Sequence, residues 1–236
     1  MTLAAMAGVR AVRGTQSRLS CPRLRLDVGW MCQGESMNEH TVVLPADSPE
    51  RIQREAEGWH VSACSWAAQL TAEQVDLDHF ALLIGKPGEG FVLREVTAQD
   101  CAAVLALDVS VAGDYPGSVA TQREPFTRER ALPSTHRRGV GAWAGVELVA
   151  VTYVDVSGEA VETDVTMVAR GWRGRGLSVA VKAASIIALM HSGVRVFRTG
   201  GSAENSAIIS ANEALGYVRD EEWVTLVPPR SSSSVL

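Results

Sequence analysis

Three things are scarce in this sequence, and each scarcity excludes something. No apolar run approaches the roughly 20 residues that a membrane-spanning helix requires, so a membrane-embedded class is not expected. The N-terminus has no continuous apolar stretch of the secretory type. Cysteines number four (Cys21, Cys32, Cys64 and Cys101), with no CxxC pair and no histidine at metal-ligand spacing. A disulfide framework or a zinc site is therefore not expected, and the cysteines read as reduced thiols of a cytoplasmic protein. Positive charge is also short: the formal net charge is -5. An acidic surface repels phosphate backbones, which argues against nucleic acid as a partner and suits a cationic amine.

What is present is ordinary globular material, 46% hydrophobic and 21% charged over 236 residues, enough for one sizeable α/β core plus an appendage. Residues 1–37 carry Arg10, Arg13, Arg18, Arg23 and Arg25 without helical or strand periodicity. They read as a flexible basic leader, either a tail or translation from a start upstream of Met37, with a targeting arm as the alternative. Residues 38–90 form an N-terminal extension of unassigned role: a partial second copy, a dimer-forming arm or a lid. The breaker cluster Lys86-Pro-Gly-Glu-Gly90 marks the main boundary. Residues 91–228 are the principal domain, and 229–236 a disordered tail.

Within the extension, Thr41 to Leu44 reads as a short strand. Ser48-Pro49 opens a helix over Arg51–Glu57 stopped by Gly58. Trp59 to Leu70 is extended, and His79 to Ile84 is a further apolar run. Past the boundary, Phe91–Val96 reads as a strand and Thr97-Ala-Gln-Asp100 opens a helix through Leu107. Val140–Trp143 and Leu148–Val156 read as an antiparallel pair joined near Gly145, and Glu162–Val168 as a third strand. Leu177, Val181, Ala184 and Ala188 recur at helical spacing up to Gly193. Val194–Thr199 is a strand, Asn205 or Ser206 caps a helix stopped by Gly216, and Tyr217–Val227 gives a last strand or pair. This order predicts an α/β fold of the α+β, mixed-sheet kind with helices on its faces.

The segment that carries chemistry is Val168-Ala-Arg-Gly-Trp-Arg-Gly-Arg-Gly-Leu-Ser178. A strand runs into a tight glycine loop and a long helix starts at once. Free N–H groups and the dipole at such a start make an anion site, and glycines let a ligand approach the backbone. Arg173 and Arg175 add charge. A pyrophosphate suits these features, but neither the Walker loop nor the dinucleotide fingerprint fits: no lysine follows the glycines, and Gly174-Arg-Gly176 has no third glycine in place. A basic loop that binds nothing, or one that touches RNA, stays open on this segment alone.

Arg173-Gly-Arg-Gly176-Leu-Ser178 resembles motif A of the GCN5-related N-acetyltransferases, (Gln/Arg)-x-x-Gly-x-(Gly/Ala), with serine at the last position. Asn205-Ser-Ala-Ile-Ile-Ser-Ala-Asn212-Glu-Ala-Leu-Gly-Tyr217 resembles the family's motif B, and the likeness extends from about Phe91 to Val227. The resemblance implies two central parallel strands that splay apart, with acetyl-CoA as co-substrate in the gap and no metal. It implies that the backbone of Thr166, Met167 and Val168 pairs with the pantetheine arm. Pyrophosphate would lie on the N–H groups of Arg173, Gly174, Arg175, Gly176, Leu177 and Ser178, with Asn205 near the pantetheine. The Val168 N–H would stabilise the oxyanion.

Transfer to an amine needs a base. The resemblance points to Glu162, six residues before Val168, and Asp164 lies on the same strand face, where paired carboxylates raise one pKa. Solvated carboxylates at a strand start are the alternative. The family's thiolate-protonating tyrosine falls on Asn212, which is no acid. The region between first strand and hairpin offers Asp108, Asp114, Tyr115, Glu124 and Trp143 toward an acceptor. The expected activity is N-acetyl transfer to a small-molecule or protein amine, with no nucleic acid or membrane partner and a homodimer left open. A catalytically degraded acyl-CoA sensor or interaction module is the alternative.

Overall fold

The computed structural model describes residues 41–114, 118–122 and 124–229. The basic leader, Met37, Tyr115 and residues 230–236 of the tail lie outside them. Local chemistry sets most element ends. Ser48 accepts from the N–H of Glu50 to open α1 (Pro49–Ala56), with proline in its first turn. Asp76 caps α2 (Leu77–Gly85), Thr127 caps α4 (Arg128–Ala131), and Asn205 caps α6 (Ser206–Ala214) through the Ile208 N–H. The apolar run at His79–Ile84 is thus helical, buried through Phe80 and Leu83. Helix α3 (Cys101–Val111) follows a 3-10 turn closed by a Thr97/Asp100 capping box.

The strands are β1 (Val42–Pro45), β2 (His60–Thr71), β3 (Phe91–Glu95), β4 (Arg137–Ala144), β5 (Glu147–Ser157), β6 (Ala160–Val168), β7 (Val196–Ser202) and β8 (Val218–Val227). They form an eight-stranded mixed sheet in the order β1-β8-β2-β7-β6-β5-β4-β3. The expected last strand or pair is the single strand β8, and the pairing partner on each side of it comes from the N-terminal segment. Strand β2 lies between β7 and β8, antiparallel to both, with seven register pairs on one side and nine on the other. The sheet therefore crosses the breaker cluster at Lys86–Gly90. Gly200 makes the close approach of β7 to β2 possible: a Cβ there would stand 2.8 Å from the Trp66 carbonyl oxygen.

One pair in the sheet is parallel. Strands β6 and β7 meet at only three registers, Ala160/Val196, Val161/Phe197 and Glu162/Arg198, and then part. The result is a fork that opens toward the C-terminal ends of both strands. On its other edge β6 carries a bulge: Tyr153 faces Val165 and Val154 faces Thr163, which leaves Asp164 as the extra residue.

Helices cover both faces. On one side α2, α5 (Leu177–His191) and α6 bury Trp66, Leu70, Phe80, Ile186, Phe197 and Leu215 against the sheet. On the other, α3 and α4 enclose Val104, Phe126, Tyr153, Val165 and Met167. No described helix is long and apolar enough to cross a membrane.

Candidate functional site

The fork and the glycine loop meet at one end of the sheet. After Val168 a 3-10 turn (Arg170–Trp172) leads to Gly174 and Gly176, both left-handed with φ of 75° and 82°. Glycine adopts that conformation without steric cost. Gly176 is the N-cap of α5 and has no side chain with which to bond the first-turn N–H groups, whereas α1, α2, α4 and α6 are capped by side chains. The donors at the start of a fifteen-residue helix thus face outward with the positive end of its dipole. The aliphatic stem of Lys86, from the end of α2, lies across Gly176: a Cβ there would stand 3.2 Å from it.

The strand leading into the loop presents its backbone to the fork. Ala169 donates to the Val149 carbonyl at 2.9 Å. Successive N–H groups in an extended chain alternate sides, so the Val168 N–H points away from β5 into the gap. Its carbonyl accepts from Arg173 Nε at 3.1 Å.

Arg173 is otherwise turned aside. Asp114, at the end of α3, accepts from Arg173 Nη2 at 2.5 Å and from Arg170 Nε at 2.7 Å. Arg170 chiefly, with Arg173, holds the Asp114 carboxyl down to about 2. The charge expected from Arg173 is thereby neutralised inside the loop, and Asp114 serves the loop rather than an acceptor. Arg175 stacks on Trp172 at 4.8 Å, and Trp172 meets Phe91 edge-on at 5.4 Å. Asn205 uses its side-chain oxygen on the α6 cap, accepting from Ile208 N–H at 3.2 Å.

Glu162 and Asp164 share a face but not an environment. Val161 packs toward α5, so Glu162 points to the opposite side, at the root of the fork. Solvent reaches its carboxylate, which makes no hydrogen bond or ion pair among the described residues. Protein atoms crowded around it raise its pKa by desolvation; Arg198 opposes this, and Asp155, Glu221 and Asp164 add to it. Arg198 itself is engaged by Asp220 and by Glu221 at 2.8 Å. Asp164, projected by the bulge, accepts from Arg130 Nη2 at 3.0 and 3.1 Å and also from Arg137. Its side chain is 8% exposed. The oxygens of Asp164 are thus occupied by two guanidiniums, whereas Glu162 has no such partner among the described residues.

Of the remaining candidates between the first strand and the hairpin, Tyr115 lies outside the described residues and the other three have partners within the fold. Asp108 accepts from the Phe126 N–H at 3.0 Å inside the core, Glu124 lies 3.6 Å from Arg130, and buried Trp143 carries the Arg94 guanidinium 3.7 Å above its ring. Asn212 is buried, and both polar atoms of its side chain lack a hydrogen-bond partner among the described residues. Sequence reasoning gave Asp114 a different role and overlooked Arg130, Arg137 and Lys182. The last is a lysine within the helix, 2% exposed. No group of His, Cys, Asp or Glu among the described residues is placed to hold a metal.

The chain is similar in shape to several solved structures. Over 81% of the chain it superposes on a GCN5-related N-acetyltransferase from Sphaerobacter thermophilus, with a TM-score of 0.58 and 18% identity. A GCN5-related N-acetyltransferase from Kribbella flavida matches 80% of the chain with a TM-score of 0.56 and 15% identity. The fold is that of the GCN5-related N-acetyltransferases. A tandem GNAT protein from the clavulanic acid biosynthesis pathway also has this GNAT fold, matching 79% of the chain at 22% identity with a TM-score of 0.55. The chain spans 62% of that protein's length, 61% of the Sphaerobacter protein's and 68% of the Kribbella protein's. No family model and no curated protein matches the sequence.

Proposed function

We propose that this chain transfers an acetyl group from acetyl-CoA to a primary amine of a small molecule or protein by direct attack. The observation that carries this reading is the three-register parallel pair, opening into a fork beside an uncapped helix start. The residues present fit a CoA. The backbone of Thr166, Met167 and Val168 lines the β6 side of the gap and would pair with the pantetheine arm. The N–H groups of Arg173 to Ser178 would hold the pyrophosphate, as donors at a helix start do, with Arg173 contributing its backbone rather than its charge. The amide nitrogen of Asn205, left over from capping, is available on the β7 side. Acetyl-CoA supplies an acyl group already activated as a thioester.

Glu162 is the proposed base. Crowding raises its pKa and no partner among the described residues holds its carboxylate, so it can take a proton from an ammonium acceptor brought to the fork root. Asp164, pinned by Arg130 and Arg137, supports Glu162 by keeping negative charge nearby. The Val168 N–H, aimed into the gap, is the proposed donor to the acyl oxygen as it gains charge.

Calorimetric titration with acetyl-CoA tests this, with Gly176→Asp alongside. Micromolar binding abolished by a carboxylate at the helix start is expected; no binding by the intact protein would end the reading. A second reading, an acyl-CoA sensor without turnover, is favoured by Asn212, which cannot protonate a departing thiolate. Tight binding with no acetyl transfer across a broad panel of amines would select it.

A further inference from the structure

Lys182 is a lysine the fold has no need to bury. It lies in the second turn of α5 with 2% of its surface exposed, and its Nζ reaches across to the sheet. There it donates to Thr199 Oγ1 at 3.1 Å and to Thr163 Oγ1 at 3.4 Å. These threonines directly follow Glu162 and Arg198, the last register pair of β6 and β7. The ladder stops and a lysine takes its place. One amine thus touches both prongs of the fork where they begin to separate, and it hangs from the helix whose start carries the anion loop.

The described surroundings offer this amine no counter-charge. It borders a small cavity whose polar lining is Thr152, Thr163, Ser185 and Tyr217, the rest being apolar. Tyr217, with its ring centre 5.4 Å from Nζ, is the one titratable neighbour in that lining. Burial pushes the Tyr217 hydroxyl up, so it stays neutral. Glu162 on β6 and Arg198 on β7 face the other side of the sheet, because Val161, Thr163, Phe197 and Thr199 face α5. On α5 itself the cavity is lined by Ser185, Ile186 and Leu189, and on β5 by Thr152 and Val154. Burial without an opposing charge lowers the Lys182 ammonium to about 7. An apolar side chain of the same length would fill this place at less cost.

We infer that Lys182 is a positioning residue for the cofactor gap: by holding Thr163 and Thr199 it sets the spacing of β6 and β7 at the fork root. This rests on the acyl-CoA reading above. Below neutrality the bonds to the threonines are charge-assisted and stronger, and they weaken as pH rises through the titration of the amine. The grip on the strands, and with it the affinity of the gap, follows the same course.

The test is calorimetric titration of wild type and Lys182→Met with acetyl-CoA at about pH 6 and about pH 8.5, on either side of that titration. Melting temperatures are recorded in parallel. Ionisations of the ligand are common to both proteins and cancel in the comparison. We expect Lys182→Met to melt at or above the wild-type temperature, yet to bind about tenfold or more weakly at the lower pH, as misplacement of binding groups does. The gap between the two proteins should narrow at the higher pH. Equal affinities at both pH values would overturn the inference while leaving the acyl-CoA reading intact; failure of the wild type to bind would overturn both. Should Lys182→Met fail to fold, Thr199→Val, which removes one acceptor and keeps the amine, carries the test with the same outcomes.

Discussion

Deleting the carboxylate of Asp164 should unfold this protein more readily rather than disable its chemistry. The side chain accepts two bonds from Arg130 and a further one from Arg137, and it is 8% exposed, against 24% and 13% for the two arginines. In Asp164→Ala both guanidiniums stay in place, and removing one partner of a buried ion pair costs about 3–5 kcal/mol because the other charge is left uncompensated. Arg137 keeps Asp155 at 2.7 Å, and Arg130 keeps contact with exposed Glu124, so the lower end applies, about 3 kcal/mol. In a protein of this size each kcal/mol moves the melting temperature by about 2–4 °C, which gives a fall of about 6–12 °C. Thermal unfolding followed by circular dichroism, checked by urea denaturation, measures it. Asp164→Asn, which keeps an acceptor and loses the charge, should fall between the two. A melting temperature within about 2 °C of wild type, together with collapsed turnover, would refute the reasoning and put Asp164 on the substrate.

Three further outcomes follow from the geometry. Glu162→Gln should lower turnover by about 10²–10⁴-fold with acetyl-CoA binding retained. Because the raised pKa keeps Glu162 protonated to higher pH than an ordinary glutamate, wild-type turnover should fall on the acid side, and a pH–rate profile of the variant should lack that limb. Asp114→Asn should free Arg170 and Arg173 and loosen the glycine loop, read as weaker acetyl-CoA affinity by calorimetry with little change in melting temperature. Finally, Lys182 binds fewer protons folded than unfolded between about 7 and 10.5, so wild-type stability should rise with pH across that interval, by up to about 5 kcal/mol. Urea denaturation of Lys182→Met should show no such slope, and an unchanged slope would place the lysine in solvent.

Local chemistry made much of the fold legible. Ser48, Asn205, Gly176 and Gly216 mark element ends through hydrogen bonds or backbone angles that involve only neighbouring residues. The strand–glycine–helix segment was readable for the same reason. Periodicity left α2 and the single turn α4 undetermined; α2 is short and apolar, and its burial against α5 decides its state.

The sequence by itself determined which residues could build an anion-binding helix start beside a strand, because turn conformation and helix capping act over a few residues. Only the tertiary structure decided that residues 60–71 cross to the far end of the sheet, between β7 and β8, since strand pairing is non-local. It also separated the fates of two carboxylates two residues apart. Arg130 and Arg137 reach Asp164 from 34 and 27 residues away and leave Glu162 alone. In the same way Lys182 reads as a helix lysine along the chain, and becomes the floor of the fork once α5 lies across β6 and β7. Electrostatic environment depends on which groups the fold brings within a few ångströms and how much water it removes, and neither is written in local spacing.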